Sequence, residues 1–535
     1  MSFMSKVWKV AERKFENLID QLLYNRGITT EILKEQFFTP RIDHYKHITE
    51  IPNIPVAIKR IKKAIAEQEL IVVYGDYDVD GITAATILYR GLSSIGAKII
   101  PYIPHREKEG YGLSKIGLDN VRDLGAGLVI TVDNGIVAIE QAHYAKELGL
   151  ELIITDHHLA HTDGRLPEAF TIVHSTEMCG AAVGWCLIEG ELSEKMREDL
   201  LQFVAIATVA DMIPLTGLGR AFVTEGLRVL NKTKNPGMLA LLREAKIALG
   251  SIGAYEIGHG IGPRLNAIGR LEHAIDAVRL LCTENEKRAK ELAKLLQETN
   301  DKRKDFTTLA VEEALETIKK QGEKKIHIVY SENFLPGVIG LIAARICQET
   351  RKPAIAISVG EVVSKGSARS VDGVNIAEVI RECADILVDV GGHKGAAGFS
   401  ILGENIPLFV ERLEKQLELL PDEVEEVIEI EAEIDKRELK KTLVKEIEKF
   451  APFGHHNIKP ILAGRNFLLS DIRTLSEGKH LKFKADGIDC IGFGMGEMSM
   501  ILTEGMSVDI AFCLEINEFR GQSNLQLMVK DIEPS

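Results

Sequence analysis

Three aspartates spaced by two, Asp76, Asp78 and Asp80, follow an apolar run in "IVVYGDYDVDG" at 71–81. A second apolar run, "LVITVD", ends at Asp133, and a third, "LELIITD", ends at Asp156 and continues into His157 and His158. A fourth acid, Asp211, closes the helix-like run "FVAIATVAD". Carboxylates gathered from such points repel one another unless cations lie among them. Divalent-metal binding is therefore the economical reading, and mixed aspartate and imidazole donors suit Mn²⁺ better than an oxygen-preferring ion such as Ca²⁺. On a phosphoester, two ions about 3.5–4 Å apart share a carboxylate, activate a water and stabilise charge on the departing oxygen. Taken singly, "DYDVDG" reads as an acidic turn or an incomplete Ca²⁺ loop, and "DHH" as a surface turn. Their joint placement at successive strand ends is what favours a metal site.

For these residues to meet, the apolar runs must be neighbouring strands. The helical pattern "AIKRIKKAIAEQE" precedes the strand "LIVVYG"; then helix "ITAATILYRGLSSIG", strand "KIIPYI", helix "LSKIGLDNVRDLG", strand "AGLVITVD", helix "IEQAHYAKELG" and strand "LELIITD" alternate. Continuous apolar strands separated by helices imply a parallel sheet covered on both faces. Their C-terminal ends share one edge, where open α/β folds hold ligands. From 284 to 321 the text is charged, helix-forming and free of glycine and proline, which predicts a long connecting helix. Strand-helix alternation resumes with "KIHIVYSE", "GVIGLIAARICQET" and "PAIAISVG", followed by the small-residue segments "SKGSARS" and "VGGHKGAAGFSI". Past the acidic "PDEVEEVIEIEAEID", short strands and turns predict a small β-barrel of the oligonucleotide-binding type. The expected organisation is α/β and multidomain: an N-terminal helical region over 1–50, a parallel-sheet catalytic domain over 51–265, a connecting helical segment over 266–322, a smaller α/β domain over 323–420 and the barrel over 421–535.

A chain of 535 residues exceeds what one core organises. With 45% hydrophobic and 27% charged residues it has the composition of a globular protein. The absence of an apolar run of about 18 residues and the charged N-terminus predict no membrane span or signal peptide, and hence a cytoplasmic protein. Seven cysteines scattered without a CxxC pair read as structural thiols rather than zinc ligands. The net charge of −14 argues against an indiscriminate nucleic-acid coat, although a local basic channel remains compatible with it. Carboxylates around bound cations also inflate the formal count.

At the acidic and histidine residues the chain resembles the DHH phosphoesterase superfamily, named for the motif carried here by Asp156, His157 and His158. "DYDVDG", "VDNG" and "VADMIPL" match its other motifs, and "GGHKGAAG" at 391–398 matches the DHHA1 type. Over nearly its whole length the chain is similar to the single-strand-specific 5′-to-3′ exonuclease branch. The similarity runs through "LLYNRGI", "YIPHREKEGYGL", "GPRLNAIGRL", "GSARS" and the terminal β region. The resemblance implies that Asp78, Asp80, Asp133, His157 and Asp211 ligate a metal pair, with Asp133 as the bridge and Asp76 as a further ligand. It implies that His158 faces the scissile phosphate or its water and that Asp156 orients a neighbour. Two Mn²⁺ ions are the expected cofactor, with Mg²⁺ as the alternative. A 5′-phosphate pocket would draw on Arg106, Ser367 and Arg369, supported by Arg264 and Arg270, because the guanidinium fork donates two hydrogen bonds to phosphate. Gly391 and Gly392 would let backbone approach the strand, and His393 would meet a phosphate near the metals.

The family usually has a glycine and a proline around its "PFG" stretch, where this chain reads "PFGHHNIKP" at 452–460; His455 and His456 are expected to form a loop. The segment "HSTEMCGAAVGW" is also shorter and less proline-rich than the family's, which is expected to alter the groove wall and spare the ligands. Of the barrel aromatics Phe483, Phe493, Phe512 and Phe519, more are expected in the core than stacking on bases.

The leading reading is a Mn²⁺-dependent exonuclease that threads single-stranded DNA from its 5′ end, in repair and recombination, through an entrance too narrow for duplex. A single-strand-binding protein or a helicase would be the expected partner. The alternatives are a phosphodiesterase for short oligonucleotides or cyclic dinucleotides, and a non-catalytic replication scaffold.

Overall fold

The computed structural model describes residues 6–106, 108–322, 324–418, 426–519 and 521–535; the side chain of Phe519 lies outside the described residues. The apolar runs form the parallel sheet the alternation predicts. Its order is Ile99–Tyr102, Ile71–Tyr74, Leu128–Val132, Glu151–Asp156 and Thr171–His174, all parallel. Every residue of Ile71–Tyr74 and Leu128–Val132 is buried, as continuous apolar strands require when helices cover both faces. The edge strand Thr171–His174 is absent from the sequence-based expectation; four residues alternating in burial carry too little pattern to announce themselves.

The connecting helix spans Glu286–Gln321, 36 residues, or roughly 54 Å at 1.5 Å per residue. Asn285 caps its start through the amide of Arg288. Its first half buries Ala289, Leu292, Ala293 and Leu296 in the core of the first domain. Its second half buries Ala310, Val311, Ala314 and Ile318 against the second sheet. One rigid element thus spaces two hydrophobic cores.

The second sheet is mixed, ordered Leu387–His393, Ala396–Leu402, Val363–Arg369, Ala354–Ser358 and His327–Ser331. Only the last pair is parallel. The small-residue segments "SKGSARS" and "VGGHKGAAGFSI" are therefore strands of an antiparallel half. The C-terminal strands close into a barrel: Leu462–Leu475 pairs on one side with His480–Ala485 and on the other with Ser507–Phe519, and Ile488–Gly492 and Gln522–Pro534 complete the circuit. Closure removes the open edges that a small sheet would expose.

The N-terminal helices Leu18–Asn25 and Glu31–Phe38 pack into the barrel core through Leu18, Leu22, Leu23 and Phe37. Ahead of them, Val7–Val10 is a strand paired in parallel with Val427–Ile430. The N-terminal strand is thereby joined to the segment that leads into the barrel, and Trp8 Nε1 donates to Asp531 on the last barrel strand at 2.8 Å. Arg26 holds Glu431 through both guanidinium arms, one at 2.9 Å.

Arg220, on the catalytic-domain helix Gly217–Leu230, is 2% exposed. It donates to the carbonyls of Phe37 at 2.8 Å, Phe450 at 2.8 Å and Ala451 at 2.7 Å, and stacks on the Phe37 ring. Burial, then the charge of Arg26, lowers its pKa to about 10, so it stays protonated at neutral pH. This one side chain joins the catalytic domain, the N-terminal helices and the barrel.

Arg220→Ala should destabilise the protein by about 3 kcal/mol, because the carbonyls of Phe37 and Ala451 lose this donor, that of Phe450 keeps only Asn457, and the stack on Phe37 is lost. Arg220→Lys should rescue little, since a point charge cannot reach all three. Denaturant unfolding checks both; an Arg220→Lys variant matching wild type would refute the forked anchoring.

Candidate metal centre and anion pocket

Asp133, Asp156, His157 and the 76–80 loop all leave the same edge of the first sheet. Asp133 follows Val132 with a positive φ of 61°, an uncommon backbone state that clusters at functional sites. Asp78 caps the helix Val79–Ser94 by accepting from the Gly81 amide at 3.0 Å. That cap turns Asp80 inward, to 2% exposure. Asp211 arrives from elsewhere, at the C-terminal end of the helix Glu194–Ala210.

The structure brings all six expected metal ligands together. Ligand atoms of Asp76, Asp78 and Asp133 lie within 4.8 Å of one another, as do those of Asp80, His157 and Asp211. The two groups meet where His157 Nε2 comes 3.1 Å from Asp133 Oδ1, and it lies 3.6 Å from both Asp80 Oδ2 and Asp211 Oδ2. Asp76 Oδ1, Asp133 Oδ1 and His157 Nε2 are buried without a hydrogen-bond partner. Buried polar atoms otherwise find partners; these oxygens and this imidazole nitrogen fit divalent ions.

The electrostatics agree. Burial first, then neighbouring aspartates, raises Asp76, Asp80 and Asp133 well above the ordinary carboxylate range and Asp211 to about 7. His157 is pushed down to about 4, by burial and then by His158, which leaves it neutral and able to ligate.

Asp156 is different. Burial pushes its pKa up, but His158 and backbone amides outweigh that and hold it below its usual value. Its oxygens accept from the amides of His157 at 2.7 Å, His158 at 3.1 Å and Ile136 at 2.9 Å, and from His158 Nδ1 at 2.8 Å. It therefore orients His158 rather than offering a ligand atom. That pairing raises the His158 pKa and leaves Nε2 beside the Tyr111 hydroxyl at 3.3 Å.

Asp80 is held by the amides of Gly180 at 2.6 Å and Ala181 at 2.7 Å, at the start of the helix Gly180–Ile188. A Cβ on Gly180 would lie 2.6 Å from that of Asp133. The segment "HSTEMCGAAVGW", expected only to shape the groove wall, thus also supports a ligand. Sequence reasoning missed this, and the glycine packed against Asp133 has no local signature.

Arginines converge nearby. Arg270 is lowered to about 10 by burial and then by the charges of Arg106, Arg303 and Arg369. Arg106 stacks over Tyr77. Arg369 donates to Ser367 Oγ at 3.2 Å, and the two share a face at the start of the helix Ile339–Thr350, where Gly340 leaves them room. Arg264 is instead turned to Gln297 and the Gly260 carbonyl, both at 2.7 Å. Arg303, on the connecting helix, was missed: within "NDKRKDF" it looks like any solvated charge. Its Nε is buried and unpartnered, as are both amide atoms of Asn300 one turn earlier. Among the described residues, none of these five arginines forms an ion pair. A cavity of about 180 Å³ lined by His105, Arg106, Gly269 and Arg270 opens there.

His393 lies at the turn of the hairpin Leu387–His393/Ala396–Leu402, exposed and in register with Ala396, which itself pairs with Arg369. Gly392 has φ +148°, and a Cβ would fall 2.4 Å from the Ala396 carbonyl, so the hairpin itself requires that glycine. Gly391 is open, with nothing within 4 Å of a Cβ. In the barrel, Phe483 and Phe512 are core and Phe493 is 59% exposed. The cysteines are free; six are buried and Cys282 is partly so. No helix among the described residues is long and apolar enough to cross a membrane.

Sheet, strut, second sheet and metal edge together define a phosphoesterase of the DHH class. The DHH family N-terminal domain matches residues 70–208, the DHHA1 domain 322–419 and the RecJ OB domain 430–531. The single-stranded-DNA-specific exonuclease RecJ of Bacillus subtilis is 34% identical over 533 residues, 96% of this chain and 67% of that protein. Its Salmonella typhimurium counterpart is 30% identical, covering 91% of each chain. The crystal structure of RecJ from Thermus thermophilus in complex with Mn²⁺ superposes with a TM-score of 0.85 at 26% identity, over 99% of this chain and 80% of that one; RecJ from the same organism has also been solved with Mg²⁺. The chain belongs to the RecJ family.

A carboxylate with a raised folded pKa binds more protons native than unfolded, so metal-free stability falls as pH rises from about 4 through the folded values, about 7 for Asp211. His158, also raised, acts in the same direction. His157, lowered to about 4, acts oppositely, but only below its unfolded value of about 6.5. The rise in melting temperature on adding Mn²⁺ to chelator-treated protein should therefore be larger at about pH 8 than at about pH 6. Equal shifts at the two pH values would count against ionisation-linked binding.

Proposed function

We propose that this protein is a metal-dependent exonuclease that degrades single-stranded DNA from the 5′ end, releasing nucleotides. The observation that carries the reading is the placement of six ligand residues around buried, unpartnered atoms beside a cluster of unpaired arginines. One site asks for cations and its neighbour for an anion, and a terminal phosphate on a polynucleotide satisfies both.

Asp76, Asp78, Asp80, Asp133, His157 and Asp211 would hold two divalent ions, with Asp133 between them; the RecJ structures solved with Mn²⁺ and Mg²⁺ support either ion, and the imidazole favours Mn²⁺. Bound there, the ions supply Lewis acidity and an activated water. The chain's own residues do the rest. Asp156 fixes the ring of His158, and His158 Nε2, shared with Tyr111, donates to a non-bridging oxygen of the scissile phosphate. Arg106, Arg270, Arg303, Ser367 and Arg369 take the 5′-phosphate, and Arg264 braces the connecting helix behind them. Gly391 and Gly392 let the strand pass close to the hairpin backbone, where His393 meets a phosphate. A cytoplasmic setting in repair or recombination, with single strands delivered by a binding protein or helicase, fits this reading.

A long strand labelled separately at each end tests it. Wild type with Mn²⁺ should release the 5′ label first, as mononucleotide, and Asp133→Ala should release none. Hydrolysis of dinucleotides alone would instead favour the small-substrate phosphodiesterase, and inactivity on both a scaffold.

Arg303→Ala should raise KM about tenfold to a hundredfold with kcat little changed, the mark of lost uniform binding. The salt dependence of binding to a single strand should lose about 0.7 from its logarithmic slope. An unchanged slope would remove Arg303 from the phosphate path.

A further inference from the structure

Asp211 is the only member of the metal cluster that does not come from the edge of the first sheet, and its side chain is 31% exposed against 1–2% for Asp80 and Asp133. Its position depends on the turn that follows it. Met212 adopts a left-handed φ of 57°, and the helix end closes through Asp211 N to Ala207 O at 2.8 Å and Ile213 N to Thr208 O at 3.1 Å. These bonds fasten the turn to its own helix and leave its outer side unsupported.

The outer side is held by the barrel. His455 Nδ1–H donates to the Met212 carbonyl at 2.8 Å, and the Leu215 amide donates to the His455 carbonyl at 2.8 Å. Leu215, 1% exposed, packs on Gly454, where a Cβ would stand 2.6 Å from Leu215 Cδ1. The loop is shaped for this grip. His456 is left-handed at φ 59°, and buried Asn457 donates to the carbonyls of Phe450 and Pro452, both at 2.9 Å. Arg220 anchors the same carbonyl run from the catalytic side. An Nδ1–H is available in both the neutral and the charged imidazole, so the clip does not depend on titration.

We infer that the barrel loop, through His455, is a positioning element for Asp211, so that docking of the barrel and occupancy of the Asp80–His157–Asp211 metal site are linked. This rests on the metal-site reading above. His455 touches no ligand; it acts through one residue of backbone. Linkage is reciprocal: what the clip does for the ion, the ion does for the clip. His455, within the segment that departs from the family pattern, acquires a role by this route.

The test uses the full chain and Mn²⁺ alone. Binding is followed by the paramagnetic resonance of free Mn²⁺, and loop order by hydrogen exchange. Wild type should bind two ions. His455→Ala should bind the ion at Asp80–His157–Asp211 about tenfold more weakly, the scale seen when a residue supporting a ligand is lost, and leave the other site unchanged. His455→Asn, which retains an N–H donor, should recover much of the difference. Without metal, amides 212–215 should exchange faster in His455→Ala, and Mn²⁺ should slow exchange of 453–457 in wild type. His456→Gly, at a left-handed position that glycine adopts freely, removes the neighbouring ring while keeping the His455 bonds to Met212 and Leu215, and should bind both ions normally. A folded His455→Ala with wild-type titration, or a His456→Gly weakened equally, would overturn the coupling while leaving the metal site intact. Failure of wild type to bind Mn²⁺ would overturn the metal site itself, and the coupling with it.

Discussion

The constraint on which the rest depends is the crowding of buried carboxylates at one sheet edge. Asp76, Asp80 and Asp133 are each no more than 2% exposed, and their mutual repulsion and desolvation oppose ionisation. No fold would assemble such a site for stability. The surrounding architecture tolerates it because the edge is rigid: the central strands Ile71–Tyr74 and Leu128–Val132 are fully buried, the helix start at Gly180 donates two amides to Asp80, and Asp156 carries four hydrogen bonds. Preorganised repulsion of this kind is what gives cations a place.

Much of this was legible from sequence, for a physical reason. Strands buried on both faces must be continuously apolar, so their ends are sharply marked, and charged residues just past those ends stand out. The connecting helix was legible because 36 residues without a glycine or proline admit little else. What stayed hidden was long-range. Arg220 and Arg303 sit in amphipathic helices where a buried arginine and a solvated one look alike. Nothing local in "VWKV" says that it pairs with "VIEI" more than four hundred residues away. The antiparallel half of the second sheet was masked by its own composition, since glycine and alanine weaken the strand signal, although close packing requires Gly392 beside the Ala396 carbonyl and Gly366 beside the Phe399 ring.

The chain's acidity and its basic pocket are two sides of one design. A net charge of −14 works against nucleic acid adhering across the surface, while Arg106, Arg270, Arg303 and Arg369, without an ion pair among the described residues, gather at the seam between the two α/β domains. Because Arg303 lies on the connecting helix, Arg270 on the catalytic domain and Arg369 on the second sheet, that seam exists only when the strut holds the domains at a fixed distance. Burial there, and then the repulsion of like charges drawn together, lowers the pKa of Arg270. Both clusters are thus destabilising alone, and of opposite sign. On the function proposed above, a polynucleotide terminus with its attendant cations would relieve both at once, and the electrostatic cost that folding tolerates would become the selectivity of the site: a ligand lacking either the charged terminus or the metal partners would leave one cluster uncompensated.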